Sequence, residues 1–409
     1  MKTILFKLNQ FPNLSETFIL AQIILAIESG FKVKIIVSQL LDIEGSRLEE
    51  LIYKYSICNL IVIEDFRIPK SRVFRLISAV YLFFLNLKYL KKLILYYKEQ
   101  ETINLSSVHQ FHFYCKFKEY DIVHVQYGTN TWPMDVLKKI GLLRSKLIVS
   151  FHGHDAFFPI NGHIPNNGYY DKLFNYGDLV IANTAYLANE LLKLGCPHHK
   201  IQIIPVGVDT SFFVKGETTK TPQVIFNLIS VGRLEKVKGH EYAIQVAELL
   251  NKKGCEISLR IIGEGSERGK LEKIILSKNL EGVIKLVGKK SPLEVRDMLR
   301  SSDVFIFTSV ATKFNRRETQ GLATIEAQAC GLPVVVFDSG GVKYTLKDNV
   351  TGYIVPEYDV NLMSERVEQL LNNPELTKKM GIAAISFVEE EFSQNQIKAK
   401  WTKVYEINS

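Results

Sequence analysis

An α/β protein built as two parallel sheets, each with helices on both faces, is what this sequence predicts. Three observations lead there. At 409 residues the chain is too long for one ordinary core, so two domains are expected. Short β-branched runs alternate with helical patterns along it. The alternation breaks once, at 205–222, where Gly207, Gly216, Thr218, Thr219, Lys220 and Thr221 give a linker-like composition, and then starts again. With 46% hydrophobic and 23% charged residues the chain is a packed one, not a disordered one.

In the first half the strands are expected at 3–8, 32–37, 59–63, 121–125, 146–151, 179–182 and 201–204. Helices are expected at 16–28, with Ser15 as N-cap, and at 184–194. In the second half strands are expected at 225–231, 257–262, 283–287, 304–308 and 334–337, and helices near 240–252, 267–277, 293–300 and 322–330. From 361 to 405 the chain reads as helical, interrupted at Pro374. Two Rossmann-like halves facing each other across a cleft follow from this pattern.

Composition excludes several classes. The five cysteines (Cys58, Cys115, Cys196, Cys255 and Cys330) are scattered and form no CxxC pair. Reduced thiols, a cytosolic compartment and no zinc site are expected. The start, MKTILFKL, has no cleavage site of small residues and reads as a buried strand. No apolar run reaches the roughly 18–20 residues of a membrane span. The net charge of +8 is unevenly spread: from Lys70 to Lys98 there are seven basic residues and no acidic one, with Tyr81, Phe83, Phe84, Tyr89, Tyr96 and Tyr97 interleaved. Two readings stand, a helix pair with a solvated basic face and a surface resting on anionic lipid headgroups. Nucleic acid is the weakest, since no nucleic-acid module accompanies the stretch.

The chemistry concentrates in residues 317–333, RETQGLATIEAQACGLP. A polar loop runs into an Ala-rich helix ended by Gly331-Leu332-Pro333. The helix start offers backbone N–H groups to an anion. Glu318 and Glu326 offer acceptors for sugar hydroxyls. Glu326 sits in an otherwise apolar helical turn, where a carboxylate needs a partner or a ligand. Glu318 precedes the helix, where dipole compensation alone would also account for it. Eight residues is not a same-face spacing, so helix pairing does not explain the two together. Upstream, Gly232-Arg233 and Lys238-Gly239 follow one strand, and two cations there suit a departing diphosphate, or form an exposed basic turn. Gly263-Glu264-Gly265 follows the next strand, as a close approach to a ligand or as a tight turn. In the first half His152, His154 and Asp155 close a strand. Metal binding is the rival reading of that cluster. No second ligand set accompanies it, and the chain has no Asp-x-Asp motif.

Together these residues resemble the retaining glycosyltransferases of family 4, which have the GT-B fold. The E-x7-E pattern from Glu318 to Glu326 carries the resemblance, with Ala327, Ala329, Gly331, Pro333 and Val334 behind it. Gly232-Arg233, Lys238-Gly239, Gly263-Glu264-Gly265, His152-Gly153 and Pro205-Val206-Gly207-Val208-Asp209 stand in the same order as in that family. The loop FPNLSETFI at 11–19 looks like that of the branch building colanic acid, capsule and other exopolysaccharides, where much of the family has a Gly-Gly pair.

The resemblance implies an N-terminal acceptor domain (1–208), a linker (209–222), a C-terminal nucleotide-sugar domain (223–388) and a last helix (389–409) returning to the first domain. It implies transfer of a hexosyl residue, from a UDP-sugar or another nucleoside-diphosphate-sugar, with retention, to a glycan carried on a lipid, in bacterial surface polysaccharide biosynthesis. Catalysis would fall to His152, Arg233, Lys238 and Glu318. Donor binding would involve Ser15, Gly232, Arg233, Lys238, Gly263, Gly265, Gly321, Leu322 and Glu326, with Glu16, His154 and Asp155 on the acceptor side. No metal or cofactor is implied, no nucleic-acid partner, and a cytoplasmic location, peripheral on the inner membrane face. Two departures stand out. Thr319 replaces a usual glycine, and Gly340-Gly341-Val342-Lys343-Tyr344 replaces Gly-Gly-Ile-Pro-Glu, which implies altered donor contacts. Other enzymes of the same fold, a phosphorylase or an epimerase, and a non-catalytic partner subunit are the alternatives. The phosphate cations and both glutamates are present, which disfavours the last.

Overall fold

The protein is described from a computed structural model covering residues 2–12, 17–42, 47–100, 104–216 and 225–406. It divides into two compact units. The first comprises Met1–Ala182, Glu190–Gln202 and Thr402–Ser409, and the second Asn183–Asn189 and Ile203–Trp401.

The first unit holds a seven-stranded sheet. Its strands are β1 (Thr3–Phe11), β2 (Lys32–Leu40), β3 (Ile61–Ile63), β4 (Ile122–Gln126), β5 (Lys146–Ser150), β6 (Leu179–Ala182) and β7 (Ile201–Ile203), in the order β3-β2-β1-β4-β5-β6-β7. The pairs from β3 across to β6 are parallel. A parallel sheet is covered on both faces, and all five residues of β4 are buried. Chain order reverses between β1 and β4. Their carboxyl ends therefore flank a crevice, the usual ligand position in such sheets.

The second unit repeats the plan with six strands, β8 (Phe226–Val231), β9 (Ile257–Ile262), β10 (Ile284–Gly288), β11 (Val304–Phe307), β12 (Val334–Phe337) and β13 (Gly352–Val355). Their order is β10-β9-β8-β11-β12-β13, all parallel. The switch point lies between β8 and β11. One face packs Ile244, Ala247 and Leu250 of the helix His240–Lys252 against Leu259 and Ile261. The other packs Ile325 and Ala329 of the helix Leu322–Ala329 against Phe305 and Val336. The sequence reading lacked β13, four residues that follow a turn with no long apolar run.

At the C-terminus three helices replace the expected two. Pro374 does open a helix, Pro374–Phe392, as its first residue, where its missing N–H costs nothing. A further break at Ser393 separates it from Gln394–Glu406. Ser393 bridges Val208, and Gly207 lies where a Cβ would come 2.6 Å from Ile397. The Pro205–Asp209 motif is thereby fixed against these helices. From Thr402 onward the last helix belongs to the first unit.

Candidate functional site

In the second unit the predicted residues gather at the carboxyl ends of β8, β9 and β11. After β8 the chain makes a short turn, Lys236–Lys238, then enters the helix His240–Lys252 through Gly239, whose φ is +60°. A Cβ on Gly239 would come 2.0 Å from the Thr308 carbonyl oxygen, so only glycine fits. This close approach carries Lys238 across to the loop after β11. Its Nζ lies 2.5 Å from Glu318 Oε2 and 5.1 Å from the centre of the Phe307 ring. Burial works against the charge on Glu318, but Lys238, Arg316 and the Gly321 N–H outweigh it and hold the carboxyl below its usual range. Lys238 and Glu318 are thus an ion pair with side chains only 17% and 19% exposed.

The other two residues stand differently. Arg233 is 61% exposed at its side chain and pairs with Glu235, two residues along, at 2.6 Å. Glu326 is half-buried on the helix Leu322–Ala329, and burial alone pushes its carboxyl up to about 7. No hydrogen bond or ion pair among the described residues offsets that burial. Of the four predicted charges, then, one pair is in contact. Arg233 turns to its own loop, and Glu326 stands apart with an unmet need for hydrogen-bond donors.

Gly321 has φ +87° and begins the helix without a side-chain cap among the described residues. Thr324 N–H donates back to the Gly321 carbonyl at 2.9 Å, which leaves the Leu322 and Ala323 N–H groups of the first turn for an anion. Gly263 and Gly265 have a different reason to be glycine from ligand approach. A Cβ on Gly263 would come 2.0 Å from the Gly232 carbonyl oxygen, and one on Gly265 2.4 Å from that of Leu234. The loops after β8 and β9 are therefore laced backbone to backbone, with Leu234 N–H donating to Glu264 O at 2.9 Å.

The loop bearing Glu318 is clamped by residues the sequence reading missed. The Gln320 side chain donates to Val206 O at 2.8 Å and accepts from Val206 N–H at 2.9 Å. Thr319 accepts at its Oγ1 from Asn183 Nδ2 at 3.2 Å, and at its carbonyl from Thr184 Oγ1 at 2.7 Å. Its hydroxyl thus explains the departure from glycine. Gly340 and Gly341 press on the same loop. Their Cβ atoms would come 2.2 Å from Glu318 O and 1.8 Å from Thr319 O. Glu357 ties the preceding residues, accepting from Ala311 N–H at 2.6 Å, from Ser339 Oγ at 3.1 Å and from the Arg317 guanidinium. Downstream, Lys343 pairs with Asp338 at 3.1 Å.

In the first unit β5 ends in Phe151-His152-Gly153, and Gly153 has φ +130°. Asp155 is fully buried. It accepts from Gly128 N–H at 2.9 Å, from His152 N–H at 3.1 Å and from Gly153 N–H at 2.8 Å. Both its oxygens are consumed in shaping the loop, so its carboxylate fixes backbone and does not face a ligand. His152 lies between the rings of Phe18 and Tyr127, with centroids 4.8 and 4.7 Å away. Burial, aided by His154 and opposed by Asp155, lowers its pKa to about 4, so it is neutral at pH 7. His154 lines a solvent-open concavity of about 100 Å³ at the carboxyl ends of β1 and β4, with Asn9, Gln10, Tyr127, Thr129 and Asn130. Ser15 and Glu16 lie outside the described residues. Among the described residues no group of three or more His, Cys, Asp or Glu stands close enough to hold a metal ion.

Comparison with known proteins gives the family. Residues 211–387 match the family described as Glycosyl transferases group 1, and residues 59–212 match Glycosyltransferase Family 4. An Escherichia coli (strain K12) protein, WcaL, named as a colanic acid biosynthesis glycosyltransferase, is 30% identical over 96% of both chains. The amylovoran biosynthesis glycosyltransferase AmsK of Erwinia amylovora is 28% identical over 67% of both. The crystal structure of Anabaena HepE in complex with UDP superposes with a TM-score of 0.71, covering 99% of each chain at 16% identity, which speaks for the fold alone. Full-length identity to WcaL, on a fold of two Rossmann-like units of the GT-B type, shows that this chain belongs to glycosyltransferase family 4, in the branch related to exopolysaccharide enzymes.

Proposed function

We propose that this glycosyltransferase moves a hexosyl residue from a nucleoside-diphosphate-sugar, with UDP as the nucleotide, to a lipid-linked glycan in bacterial surface polysaccharide synthesis, and that the anomeric configuration is retained. The observation that carries the reading is the Lys238–Glu318 pair at the mouth of an uncapped helix start. Lys238, joined by Arg233 once it swings from Glu235, neutralises the departing diphosphate. The N–H group at Leu322 adds to that field, while that of Gly321 is turned to Glu318. Glu326 takes the ribose hydroxyls, which supply the donors its burial lacks. Glu318, held ionised by Lys238, takes hydroxyls of the donor sugar. Gly232, Gly263 and Gly265 keep the loops low enough for the nucleotide. His152 lies against the transferred sugar, and His154 serves the acceptor side. No metal is needed when fixed cations and helix N–H groups meet the phosphate charge. UDP bound in the related HepE crystal and the colanic acid and amylovoran names of WcaL and AmsK support donor and pathway class. Incubation of the purified enzyme with UDP-sugars and membrane extract tests this: release of UDP with an axial-linked product by NMR is expected. Inverted product, or no transfer from any UDP-sugar, overturns the reading.

The acceptor's lipid would bring the enzyme to the inner membrane face, and the stretch 70–98 supplies a surface for it. Its first helix, Arg72–Leu85, buries only Ala79 and exposes Val73, Phe74, Ile77, Tyr81 and Phe84, each by more than half. Lys70, Arg72, Lys88 and Lys91 are exposed along the same stretch, and Leu93 and Tyr96 anchor the following helix, Leu90–Lys98, to the core. No single helix among the described residues is long and apolar enough to cross a membrane; the two together pass by length and composition but are bent by 70°. An in-plane apolar face with a basic rim suits an anionic bilayer surface. Flotation with anionic vesicles checks it. Charge removal at Lys88, Lys91 and Lys92, or Phe74→Ser with Phe84→Ser, weakens binding if the surface is right, and leaves it unchanged if not.

A further inference from the structure

A buried polar chain runs behind His152, through residues that the proposed function does not use. His152 Nε2 lies 2.8 Å from Gln126 Oε1. The Gln126 amide nitrogen donates to Gln22 Oε1 at 2.6 Å and points to His124 Nε2 at 3.4 Å. His124 Nε2 lies 2.8 Å from Ser150 Oγ, and its Nδ1 lies 2.9 Å from Tyr405 Oη on the last helix. Gln126 and His124 are fully buried and Gln22 nearly so.

With the side-chain amides as the structure places them, these contacts run in one direction. Burial lowers the pKa of His124 to about 3, so its ring is neutral. The Gln126 amide nitrogen facing its Nε2 is a donor, so Nε2 accepts and the proton is on Nδ1, toward Tyr405. The Gln126 nitrogen then faces two acceptors, Gln22 Oε1 and His124 Nε2. A flipped amide would set its oxygen against both, so Oε1 is held toward His152. An amide oxygen only accepts; the His152 nitrogen facing it must carry hydrogen.

We propose that Gln126 is a positioning residue that locks His152 as the Nε2–H tautomer. Gln22 and His124 prevent the amide from turning over, and Phe18 and Tyr127 hold the ring plane. The idea rests on the reading that His152 meets the transferred sugar. A neutral amide does what a carboxylate could not: it orients the ring without drawing a proton onto it, which would set a cation beside a sugar centre becoming positive. The titratable groups facing His152 include Asp155, His154, His124 and Tyr127.

The test is ¹⁵N NMR of the full-length enzyme, with the His152 signals assigned by difference from His152→Asn, alongside steady-state kinetics. The wild type should show a single Nε2–H tautomer from pH 6 to 8. Gln126→Met should give mixed tautomers and lower kcat by about 10-fold or more, with the KM for the donor unchanged. Gln22→Leu, which does not touch His152, should also mix the tautomers by freeing the amide to flip. In Gln126→Glu the acid limb of the pH–rate profile should move up, because a carboxylate stabilises the imidazolium; a merely structural role would lower activity without moving the limb. A wild-type Nδ1–H tautomer, or unaltered signals in both Gln126→Met and Gln22→Leu, overturns the lock. Shifted tautomers with unchanged kcat overturn instead the placing of His152 at the sugar, so the two failures are told apart. UDP binding and melting temperature show that each variant is folded.

Discussion

The two units solve the same problem with opposite chemistry. Each is a parallel sheet with its candidate site at the carboxyl ends of the strands beside a switch point. In the second unit the site is ionic: Lys238 against Glu318, Arg233 against Glu235, and Glu326 with its proton held by burial. In the first unit the central groups are neutral. His152 and His124 are both kept uncharged by burial, and amides connect them. Asp155 there spends its oxygens on three backbone N–H groups. In the proposed reaction the first kind of site suits a leaving diphosphate, whose charge grows. The second suits a sugar carbon that becomes positive and tolerates no fixed cation nearby. Fold alone dictates neither; the side chains placed at equivalent positions do.

That contrast is open to direct attack, and the largest effect is expected on its ionic side. Lys238→Ala should slow transfer by about 10²–10³-fold, the usual loss when one electrostatic stabiliser is removed. Lys238→Arg should restore part of it. Wild-type rates in Lys238→Ala would leave the ionic site without a catalytic part. On the neutral side, Asp155→Ala should cost about 3 kcal/mol of stability, because three N–H groups lose a charged acceptor, two of them in the loop that carries His152. Urea unfolding measures it, and a change under about 1 kcal/mol would mean that water replaces the carboxylate.

Glu326 gives the smallest effect but the sharpest sign. Its folded pKa of about 7 lies above the ordinary 4.5. Between these values the folded protein holds a proton that the unfolded chain has released, so this group makes stability fall as pH rises from about 4.5 to 7. Glu326→Gln removes that loss. The variant should match the wild type below pH 4.5 and exceed it by about 2 to 3 kcal/mol above pH 7. It should also bind UDP more weakly. Thermal melts across pH, with and without UDP, read both. A pH-independent difference would place the Glu326 carboxyl in water.

Much of this was legible in the sequence, and the limits have physical causes. Strand positions read well because a parallel strand buried on both faces is a short β-branched run, as in Val334–Phe337. β13 was lost because Gly-Tyr-Ile-Val is too short to stand out from a turn. Lys238 and Glu318 were each singled out, but their contact spans 80 residues and exists only because Gly239 lets the turn meet Thr308. Arg233 was expected beside Lys238, yet Glu235 two positions away claims it. Asp155 was placed on the acceptor side by family resemblance; its backbone partners cannot be read from side-chain letters. Gln126 and Gln320 went unread because glutamine has no strong pattern, and its meaning depends on what stands opposite. In the basic stretch, charge was legible and the outward turn of Phe74, Ile77 and Phe84 was not, since helical spacing alone does not say which face is covered.

Tyr405 carries a practical lesson for anyone handling this enzyme. Its hydroxyl reaches His124 from the second-last residue of the final helix. A shortened gene product ending before that position, or a bulky reporter fused close behind it, would disturb a histidine two hydrogen-bonded partners away from His152. Purification handles and fluorescent labels therefore belong elsewhere, and an apparently inactive preparation with an altered tail says nothing about the chemistry of the intact chain.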